Sequence, residues 1–534
     1  MQPKKLIASA VVVWAFALLA ASHPTTISAS TDFRDDRNLD SDLAAVLSAA
    51  GFTGDIETTF QDRLRENLGR PIDQKLADLG RLLWFDNAHS LHKDNTCGGC
   101  HSPSNGFGDT QPMAIGVQSN GIVGPNRAGP RNQRRTPLVV NTALAPALMW
   151  NGRFKSLAGD PFDNSLGFKF PLPEDDDKFS FAENVIHHLT HLLQAQAQMP
   201  PTELTEVAGY TGTCPNGIPD VTLGPRFCQF DDGLGVNVPL PDPTTMSRDE
   251  PIRDMVGQIL DGIPEYRKLF GQVFPEVRDG APIDVFMFGK AIAEFEFTLV
   301  FANAPIDRFA RGQTNAMTDG QKRGALLFFG KAQCSSCHSV SGRSAVGTPN
   351  ELFSDFEEHV IGVPQIAPAF GVGQGNTIFD GPGEDEDFGL EQISHETADR
   401  YRFRTAPLRN LALAPAFFHN GAFTRIEDAI RHHLDVYQSA RNYDPIKAGV
   451  PADLAFRLGP IEPVLDRLDP LLRTPILLED DEFADLVSFV KEGLLDDNAD
   501  PKKLCRLIPS NVPSGLPMLT FETCDPIGGS LEQH

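Results

Sequence analysis

The chain is poor in basic residues. Its 534 residues include 46 lysines and arginines against 71 aspartates and glutamates, which gives a net charge of −25 at pH 7 with histidine neutral. Nucleic acids and anionic lipid surfaces bind proteins through basic side chains, so this balance argues against both partners. It is compatible with a basic protein partner, because complementary charge speeds the encounter of two redox proteins.

Long apolar runs are also scarce. One run, residues 6–21, follows Lys4 and Lys5 and precedes small residues that end at Ser22 or Ser30. This order is typical of an export signal, and the run is short for a membrane span. We therefore predict a cleaved signal peptide over residues 1–30, a periplasmic mature chain and no membrane span in it; an uncleaved anchor is the alternative.

Cysteine is scarce as well, and half of the eight cysteines lie in two copies of one motif. The copies are Cys97-Gly98-Gly99-Cys100-His101 and Cys334-Ser335-Ser336-Cys337-His338. CxxC followed by histidine is a covalent c-type haem attachment site, in which the sulfurs add to the haem vinyl groups and the imidazole binds the iron. A zinc site would need a second CxxC beside each copy, and neither copy has one. The sequence therefore predicts two haem c groups.

The other four cysteines are Cys214, Cys228, Cys505 and Cys524. An even number in an exported chain favours two disulfides. Pairing between sequence neighbours would close two irregular segments, but three connectivities are possible and the sequence leaves the choice open.

The segment before each motif is repeated. Gly80-Arg81-Leu82-Leu83-Trp84-Phe85 precedes the first copy and Gly324-Ala325-Leu326-Leu327-Phe328-Phe329 the second. We interpret them as one duplicated helix and predict an all-α fold of two tandem cytochrome c-like domains. The expected division is an N-terminal domain over 31–280 with a loop insertion at about 200–243, a C-terminal domain over 281–495, and an irregular tail over 496–534. The acidic segment 380–389 is expected to be a solvated loop.

The reactivity of a haem iron depends on the position opposite its histidine. For the second haem, a capping box at Thr424-Arg425-Ile426-Glu427 predicts the start of a helix. Ile426, Ala429, Ile430 and His433 then follow a helical period, so His433 is expected on the apolar face and is our candidate ligand. His432, expected on the polar face, and His419 are the alternatives.

The ordered motifs resemble those of the bacterial di-haem cytochrome c peroxidase family, which includes the MauG-type enzymes. Besides the two haem motifs, the resemblance rests on Met149-Trp150-Asn151-Gly152-Arg153, Arg404-Thr405-Ala406-Pro407-Leu408-Arg409-Asn410 and Phe418-His419-Asn420-Gly421. It implies that the N-terminal haem reacts with hydrogen peroxide and that the C-terminal haem takes in electrons. It also implies that Trp150 lies between the haems and assists electron transfer.

Two departures from the family pattern affect the iron ligands. Family peroxidases place a methionine where this chain has His433, fourteen residues after His419, and MauG-type enzymes place a tyrosine there. A distal histidine is expected sixteen residues after His101, where this chain has Val117. We therefore expect an open position on the first haem; His89 and His92 are weak alternative ligands.

Cleavage of peroxide also needs a proton carrier. The family's glutamate lies about twenty residues after the tryptophan, so Glu174 is our candidate, with Asp160 and Asp163 in reserve. Glu174 begins an acidic run that a solvated loop would also explain. The family's calcium-binding asparagine is missing from Arg134-Arg135-Thr136-Pro137, so a calcium ion stays open. His187, His188 and His191 are spaced for a metal, but surface or core histidines explain them better.

These features predict a periplasmic di-haem peroxidase that draws electrons from a small redox protein, either a cytochrome c or a cupredoxin. The alternatives are a MauG-type oxidase that modifies a protein side chain, and a non-catalytic di-haem electron carrier or sensor. Dimers are common in the family, so a homodimer is a further expectation from the resemblance.

Overall fold

Helices make up most of the regular structure in the computed structural model, which describes residues 38–169, 189–219, 225–244, 247–340, 351–369 and 379–524. In chain order they are α1 Leu39–Ala49, α2 Ile56–Leu68, α3 Gln74–Trp84, α4 Cys97–Cys100, α5 Leu192–Gln196, α6 Asp249–Asp261, α7 Pro264–Val273, α8 Pro275–Arg278, α9 Val285–Phe297, α10 Pro305–Ala310, α11 Asp319–Phe329, α12 Glu391–Ser394, α13 Ile426–Leu434, α14 Val436–Arg441, α15 Glu462–Leu465, α16 Asp480–Ser488 and α17 Pro501–Cys505.

The strands are only two or three residues long. They are β1 Ile122–Val123, β2 Ala147–Leu148, β3 Phe154–Ser156, β4 Phe168–Lys169, β5 Glu358–His359, β6 Ile366–Ala367, β7 Phe403–Arg404, β8 Arg457–Leu458 and β9 Thr520–Phe521. They form one antiparallel sheet in the order β2-β3-β4, and the pairs β1-β9, β5-β7 and β6-β8. The predicted predominance of helix is confirmed. Within the described residues, no helix is long and apolar enough to cross a membrane.

The predicted duplicated helix is present as α3 and α11. The Asp73 carboxylate accepts N–H bonds at the start of α3, and Thr318 and Gln321 cap α11 reciprocally. A glycine at the same place in each helix lets a later helix pack closely: a Cβ on Gly80 would lie 1.9 Å from the Ala291 carbonyl oxygen in α9, and one on Gly324 would lie 2.0 Å from the Asp485 carbonyl oxygen in α16. Each motif is therefore associated with the same helix pair, one helix before the motif and one later in the chain: α3 with α9, and α11 with α16.

This pairing bears on the expected division of the chain. Side chains of α9, including Phe288, Ala291 and Phe295, belong to the same apolar core as Leu83 and Trp84 before the first motif. We therefore propose that the first domain continues through Phe297 rather than ending at residue 280.

Each end of the described chain packs against the half that is distant from it in sequence. α1 packs against α11 before the second motif. The tail after residue 495, expected to be irregular, contains α17 and β9, and Leu504, Leu519 and Phe521 lie in the core around the first motif. There β9 pairs in parallel with β1, which follows the first motif.

The remaining cysteines pair with their sequence neighbours. Disulfides join Cys214 to Cys228 and Cys505 to Cys524. Of the three connectivities that the sequence allows, the structure has the one that joins sequence neighbours.

Two expectations about loops need correction. The segment 200–243 contains helical turns rather than open loop alone, and one of them, Leu204–Ala208, reaches the functional site described below. The acidic segment 380–389 is only partly solvated, because Glu386 and Asp387 are buried. Asp387 accepts two 2.7 Å hydrogen bonds from Arg134, and Glu386 accepts one from the Tyr401 hydroxyl. Hydrogen bonds from Arg134 and Tyr401 therefore stabilise these two buried carboxylates. Amino-acid composition alone does not reveal such partners.

A buried ion pair holds α10 to the chain segment after residue 404. Arg409 donates to both carboxylate oxygens of Asp307 at 2.7 and 2.8 Å, and both side chains are almost fully buried. Asp307→Asn removes the countercharge and leaves Glu351, 3.9 Å from Arg409, as partial compensation. We expect the free energy of unfolding in urea to fall by about 3 kcal/mol, because an unpaired charge then stays buried.

Asp62→Asn is the control, since Asp62 pairs with Arg65 on the surface of α2, where both side chains are more than half exposed. Its loss should stay below about 1 kcal/mol. Equal losses in the two variants would contradict this account of the Asp307 pair.

Candidate haem and peroxide site

The two motifs open onto one continuous cavity. Its walls include Cys97, Cys100 and His101 from the first motif, and Cys334, Cys337 and His338 from the second. Between them the walls are formed by residues 132–142, 145 and 147–151, and by residues 403–409. The predicted attachment residues of both motifs therefore face the same enclosed space.

Each motif folds into a single tight turn. The first is α4, closed by a 2.9 Å bond from the His101 N–H to the Cys97 carbonyl. The second, Cys334–Ser336, is closed by the same bond, 2.9 Å long, from His338 to the Cys334 carbonyl. All four cysteines are free thiols, although the chain forms two disulfides elsewhere. The turns therefore present two thiols and one imidazole each, as haem attachment requires.

Both motif histidines are oriented by a backbone carbonyl. The Nδ1 of His101 lies 2.8 Å from the Phe107 carbonyl oxygen, and that of His338 lies 3.0 Å from the Phe353 carbonyl oxygen. A carbonyl can only accept, so Nδ1 carries the proton. Burial lowers the pKa of His101, and that of His338 to about 4, so both rings are neutral near pH 7. Nε2 therefore keeps the lone pair that a metal ligand needs, an arrangement typical of metal-binding histidines.

The carbonyl acceptors share an uncommon backbone conformation. Phe107 and Phe353 have φ values of 55° and 57°, in the left-handed region that bulky residues rarely adopt. Such a conformation costs of order 1–3 kcal/mol and persists only where the surrounding structure enforces it. Both rings are fully buried in aromatic clusters, which hold the carbonyls in place.

His433 lies opposite His338 across the cavity. The two ring centroids are 6.2 Å apart, and the His433 Nδ1 lies 2.8 Å from the Ala429 carbonyl oxygen, which again leaves Nε2 as the acceptor nitrogen. Two metal–nitrogen bonds of about 2 Å, with about 1.1 Å from each nitrogen to its ring centre, would place the ring centres of two ligands of one metal about 6.2 Å apart. The spacing thus fits one iron between the predicted pair.

The alternatives to His433 are placed differently. His432 is buried rather than on a polar face, and its two nitrogens contact the Ser439 hydroxyl and the Ile361 carbonyl. That part of the expectation is wrong, because the chain folds over both sides of α13. His419 lines the cavity but stacks on Phe403 at 3.6 Å.

The helix α13 begins where predicted but not by the predicted cap. Arg425 occupies the N-cap position and makes no side-chain capping bond. The Thr424 hydroxyl instead donates to the Ala448 carbonyl at 2.6 Å, so the expected capping box is wrong.

Trp150 lies in the wall between the motifs. Its Nε1 donates to the Arg135 carbonyl at 2.7 Å, and its own carbonyl accepts the Arg404 N–H at 2.7 Å. Arg135 follows the first motif and Arg404 follows the second. Trp150 therefore joins chain segments from both halves of the molecule, as its predicted position between haems requires.

Among the described residues, Glu206 is the carboxyl group that best fits the predicted role of proton carrier, and counting along the chain did not predict it. It lies in the turn Leu204–Ala208 and lines the cavity together with Gln196, Pro200 and Val207. Burial, reinforced by the nearby Glu203 carboxylate, raises the pKa of Glu206 to about 7. A carboxyl that titrates near neutral pH is suited to accept and return a proton.

No local sequence signal separates Glu206 from Glu203, whose carboxylate is bound by Arg153 at 2.9 Å. The distinction depends on how the turn folds over the first motif: the Val117 N–H donates to the Thr205 carbonyl, and a Cβ on Gly116 would lie 2.0 Å from the same oxygen. Counting about twenty residues from Trp150 does not reach Glu206, because more residues than that separate the two.

The predicted carrier, Glu174, lies outside the described residues, as do His187 and His188. The reserve acids do not line the cavity. Asp160 is bound by Arg63, and Asp163 caps its own turn by accepting the Ser165 N–H at 2.8 Å.

His89, His92, His191 and Val117 lie outside the cavity wall, although the His89 Nε2 is 3.9 Å from the Cys97 sulfur. His92 is bound by Asp232, and the His191 Nε2 donates to the Ala143 carbonyl at 3.0 Å. His89 is fully buried against Phe288. None of the three lines the cavity. Val117 is packed in the core beside the first motif.

Taken together, the residues present fit a pair of covalently attached haems. The four free thiols, the two motif imidazoles with a free Nε2, and a third imidazole at ligand spacing supply the attachment and axial positions. The wall between them is largely apolar, as a haem pocket requires.

Comparison with known proteins gives matches to di-haem cytochrome c peroxidases and to MauG. Residues 74–222 and 231–315 match the family model described as di-haem cytochrome c peroxidase. The methylamine utilization protein MauG of Methylorubrum extorquens is 27% identical over 68% of this chain and 70% of its own length. The cytochrome c551 peroxidase of Pseudomonas aeruginosa is 24% identical over 69% of this chain and 74% of its own length.

Among solved structures, a MauG-like protein associated with microbial copper homeostasis superposes with a TM-score of 0.48 at 19% identity, over 83% of this chain and 93% of that one. The family model covers the first motif, and together with the curated relatives it shows that the chain is similar to the oxidoreductases of the di-haem cytochrome c peroxidase family.

Proposed function

We propose that this protein is a periplasmic di-haem peroxidase, with one haem c attached to each motif inside a cytochrome c-like domain. In this proposal the site at His101 would hold the haem that supplies peroxide chemistry, and the site at His338 and His433 would hold the haem that supplies electron transfer. The observation that carries the proposal is the difference between the two sites. His338 faces a second imidazole, His433, at ligand spacing, whereas Val117, at the corresponding place after His101, is a core residue that cannot ligate iron.

Haem iron with an open position binds and reduces peroxide, whereas iron held on both faces transfers electrons. Of the chain's own groups, His101 and His338 would each hold a haem iron through Nε2, because Nδ1 donates to a carbonyl. His433 would be the second ligand beside His338, because its Nδ1 also faces a carbonyl and its Nε2 is free.

Reduction of one hydrogen peroxide to two waters consumes two electrons and two protons. Glu206 is our candidate to take a proton from the bound peroxide at one carboxylate oxygen and to return it to the departing oxygen. Glu296 of α9 lines the same cavity, but burial raises its pKa to about 8, so it is largely protonated at pH 7 and less available to accept a proton.

Trp150 is the proposed link for electrons between the two sites, because its hydrogen bonds fix it to the chain after each motif. The proposed electron donor is a small basic redox protein, a cytochrome c or a cupredoxin, which suits the net charge of −25. The proposal includes no calcium ion, because Arg135 brings a fixed positive charge to the position of the family's asparagine. A homodimer is kept from the resemblance alone.

A MauG-type oxidase is the second candidate. It is favoured by His433, which replaces the family's methionine and should lower the potential of the second haem, since thioether ligation raises it. The two are separated by steady-state assay of the purified holoprotein with hydrogen peroxide. A peroxidase oxidises reduced cytochrome c or a reduced cupredoxin continuously. A MauG-type oxidase consumes peroxide in proportion to an added protein substrate and turns over neither donor.

Glu206→Gln tests the proton carrier. The amide cannot accept the peroxide proton, so we expect kcat/KM for peroxide to fall by about 10²–10⁴-fold, while both haems remain attached. In the wild-type protein the same rate constant should rise with pH through about 7, as the Glu206 carboxyl loses its proton, and the variant should lose this dependence.

Glu174→Gln and Glu296→Gln are the matched comparisons, and each should keep most of the activity. A larger loss in Glu174→Gln than in Glu206→Gln would restore Glu174 as the carrier and refute the assignment of Glu206.

His433→Ala tests the second axial ligand. Removal of the imidazole should convert the ferric signal of one haem from low-spin to high-spin in the EPR spectrum, because its second strong-field ligand is lost. His432→Gln is the control, since His432 lies next in the helix but hydrogen-bonds with both nitrogens. An unchanged spectrum of His433→Ala would exclude His433 as a ligand.

A further inference from the structure

Four arginines line the cavity, and they fall into two classes. Arg134 donates to both oxygens of Asp387 at 2.7 Å, and Arg409 does the same with Asp307. Arg135 and Arg404, which are 4% and 6% exposed, form no ion pair within the described residues. In the part of the chain that the structure describes, two of the cavity's buried arginines therefore have a countercharge and two have none.

The hydrogen bonds of the second class go to backbone carbonyls. Arg135 donates to the carbonyls of Gln111 and Asp109 at 2.7 and 3.3 Å. Arg404 donates to the carbonyls of Met149 and Thr405 at 2.8 and 3.1 Å. Each guanidinium has five N–H donors, so several remain unused on side chains that line the cavity.

The acidic groups nearest to these arginines are already engaged. Asp109 stabilises the charge of Arg135 from a distance, but its carboxylate accepts the N–H groups of Gln111 and Thr136. Glu358 acts similarly on Arg404, but its carboxylate is bound by Lys155. Burial lowers the pKa of both arginines to about 10, so they stay charged at neutral pH. A buried charge without a countercharge is costly, and the cost implies an anionic partner that the described residues do not supply.

The backbones of the two arginines are also hydrogen-bonded to Trp150. The carbonyl of Arg135 accepts the Trp150 indole N–H, and the backbone N–H of Arg404 donates to the Trp150 carbonyl. An anion held by either guanidinium would therefore lie beside the residue that joins the two halves of the cavity.

We propose that Arg135 and Arg404 are anchors for haem propionates on the two sides of Trp150, and that their charges raise the reduction potentials of the haems they hold. The proposal rests on the haem attachment in the proposed function. Planar guanidinium groups match carboxylates in geometry, and each haem carries two propionates, so the cavity's occupants supply the missing countercharge. Arg135 and Arg404 are positioning residues here, since their effect on chemistry is through the cofactor.

The test is spectroelectrochemical titration of the purified holoprotein and of Arg135→Met and Arg404→Met. Methionine keeps apolar bulk and removes the charge. Reduction adds an electron to the haem, and a nearby cation stabilises the reduced form, so each variant should lower the midpoint potential of a haem. Arg135→Lys and Arg404→Lys should recover most of the shift because they retain the charge.

Arg402→Met is the matched control, because Arg402 lies two residues from Arg404, is substantially exposed and pairs with Asp399. Its potentials should equal those of the wild type. Unchanged potentials in both Arg135→Met and Arg404→Met, with two haems attached, would overturn the proposal.

A crystal structure of the wild-type holoprotein covers the case in which the variants fail to fold. Hydrogen bonds from each guanidinium to a propionate would support the proposal, and guanidinium groups bonded only to carbonyls would refute it. Neither measurement needs turnover: a di-haem protein that fails to reduce peroxide would refute the proposed peroxidase and leave this inference standing.

Discussion

The hydrogen bond from an imidazole Nδ1 to a backbone carbonyl is the interaction on which the site depends. It recurs at His101, His338 and His433, and in each case it fixes the tautomer that leaves Nε2 as a ligand atom. His432, by contrast, spends both nitrogens on protein partners. The hydrogen-bond partners thus separate candidate ligands from structural histidines more sharply than burial does, since His432 is the more buried of the adjacent pair.

The two halves obtain this interaction by the same means. In each, a helix with a glycine at its close contact packs a later helix onto the motif, and a phenylalanine in a left-handed conformation directs its carbonyl at the motif histidine. The same geometry is formed although the loop lengths differ. Phe107 follows His101 by six residues, and Phe353 follows His338 by fifteen. Duplication has conserved the interaction within the chain, while loop lengths have diverged.

Much of the fold and part of the site could be predicted from the residues. The CxxCH motifs, the repeated Gly80 and Gly324 helices and the periodicity that selects His433 are local patterns, and their placement in the structure follows them. Glu206 could not be found in this way. It lines the cavity because residues 204–208 pack against Gly116, and no local pattern predicts that contact. The burial of Asp387 was missed for the same reason: its partner, Arg134, is distant in sequence.

In the proposed enzyme the two sites differ: one iron would have an open position, and the other would be held between His338 and His433. The most direct test is the low-temperature EPR spectrum of the resting ferric holoprotein, before and after addition of one equivalent of hydrogen peroxide. The account predicts one high-spin and one low-spin haem, with the high-spin signal lost on addition of peroxide. Two low-spin signals that do not respond to peroxide would contradict it.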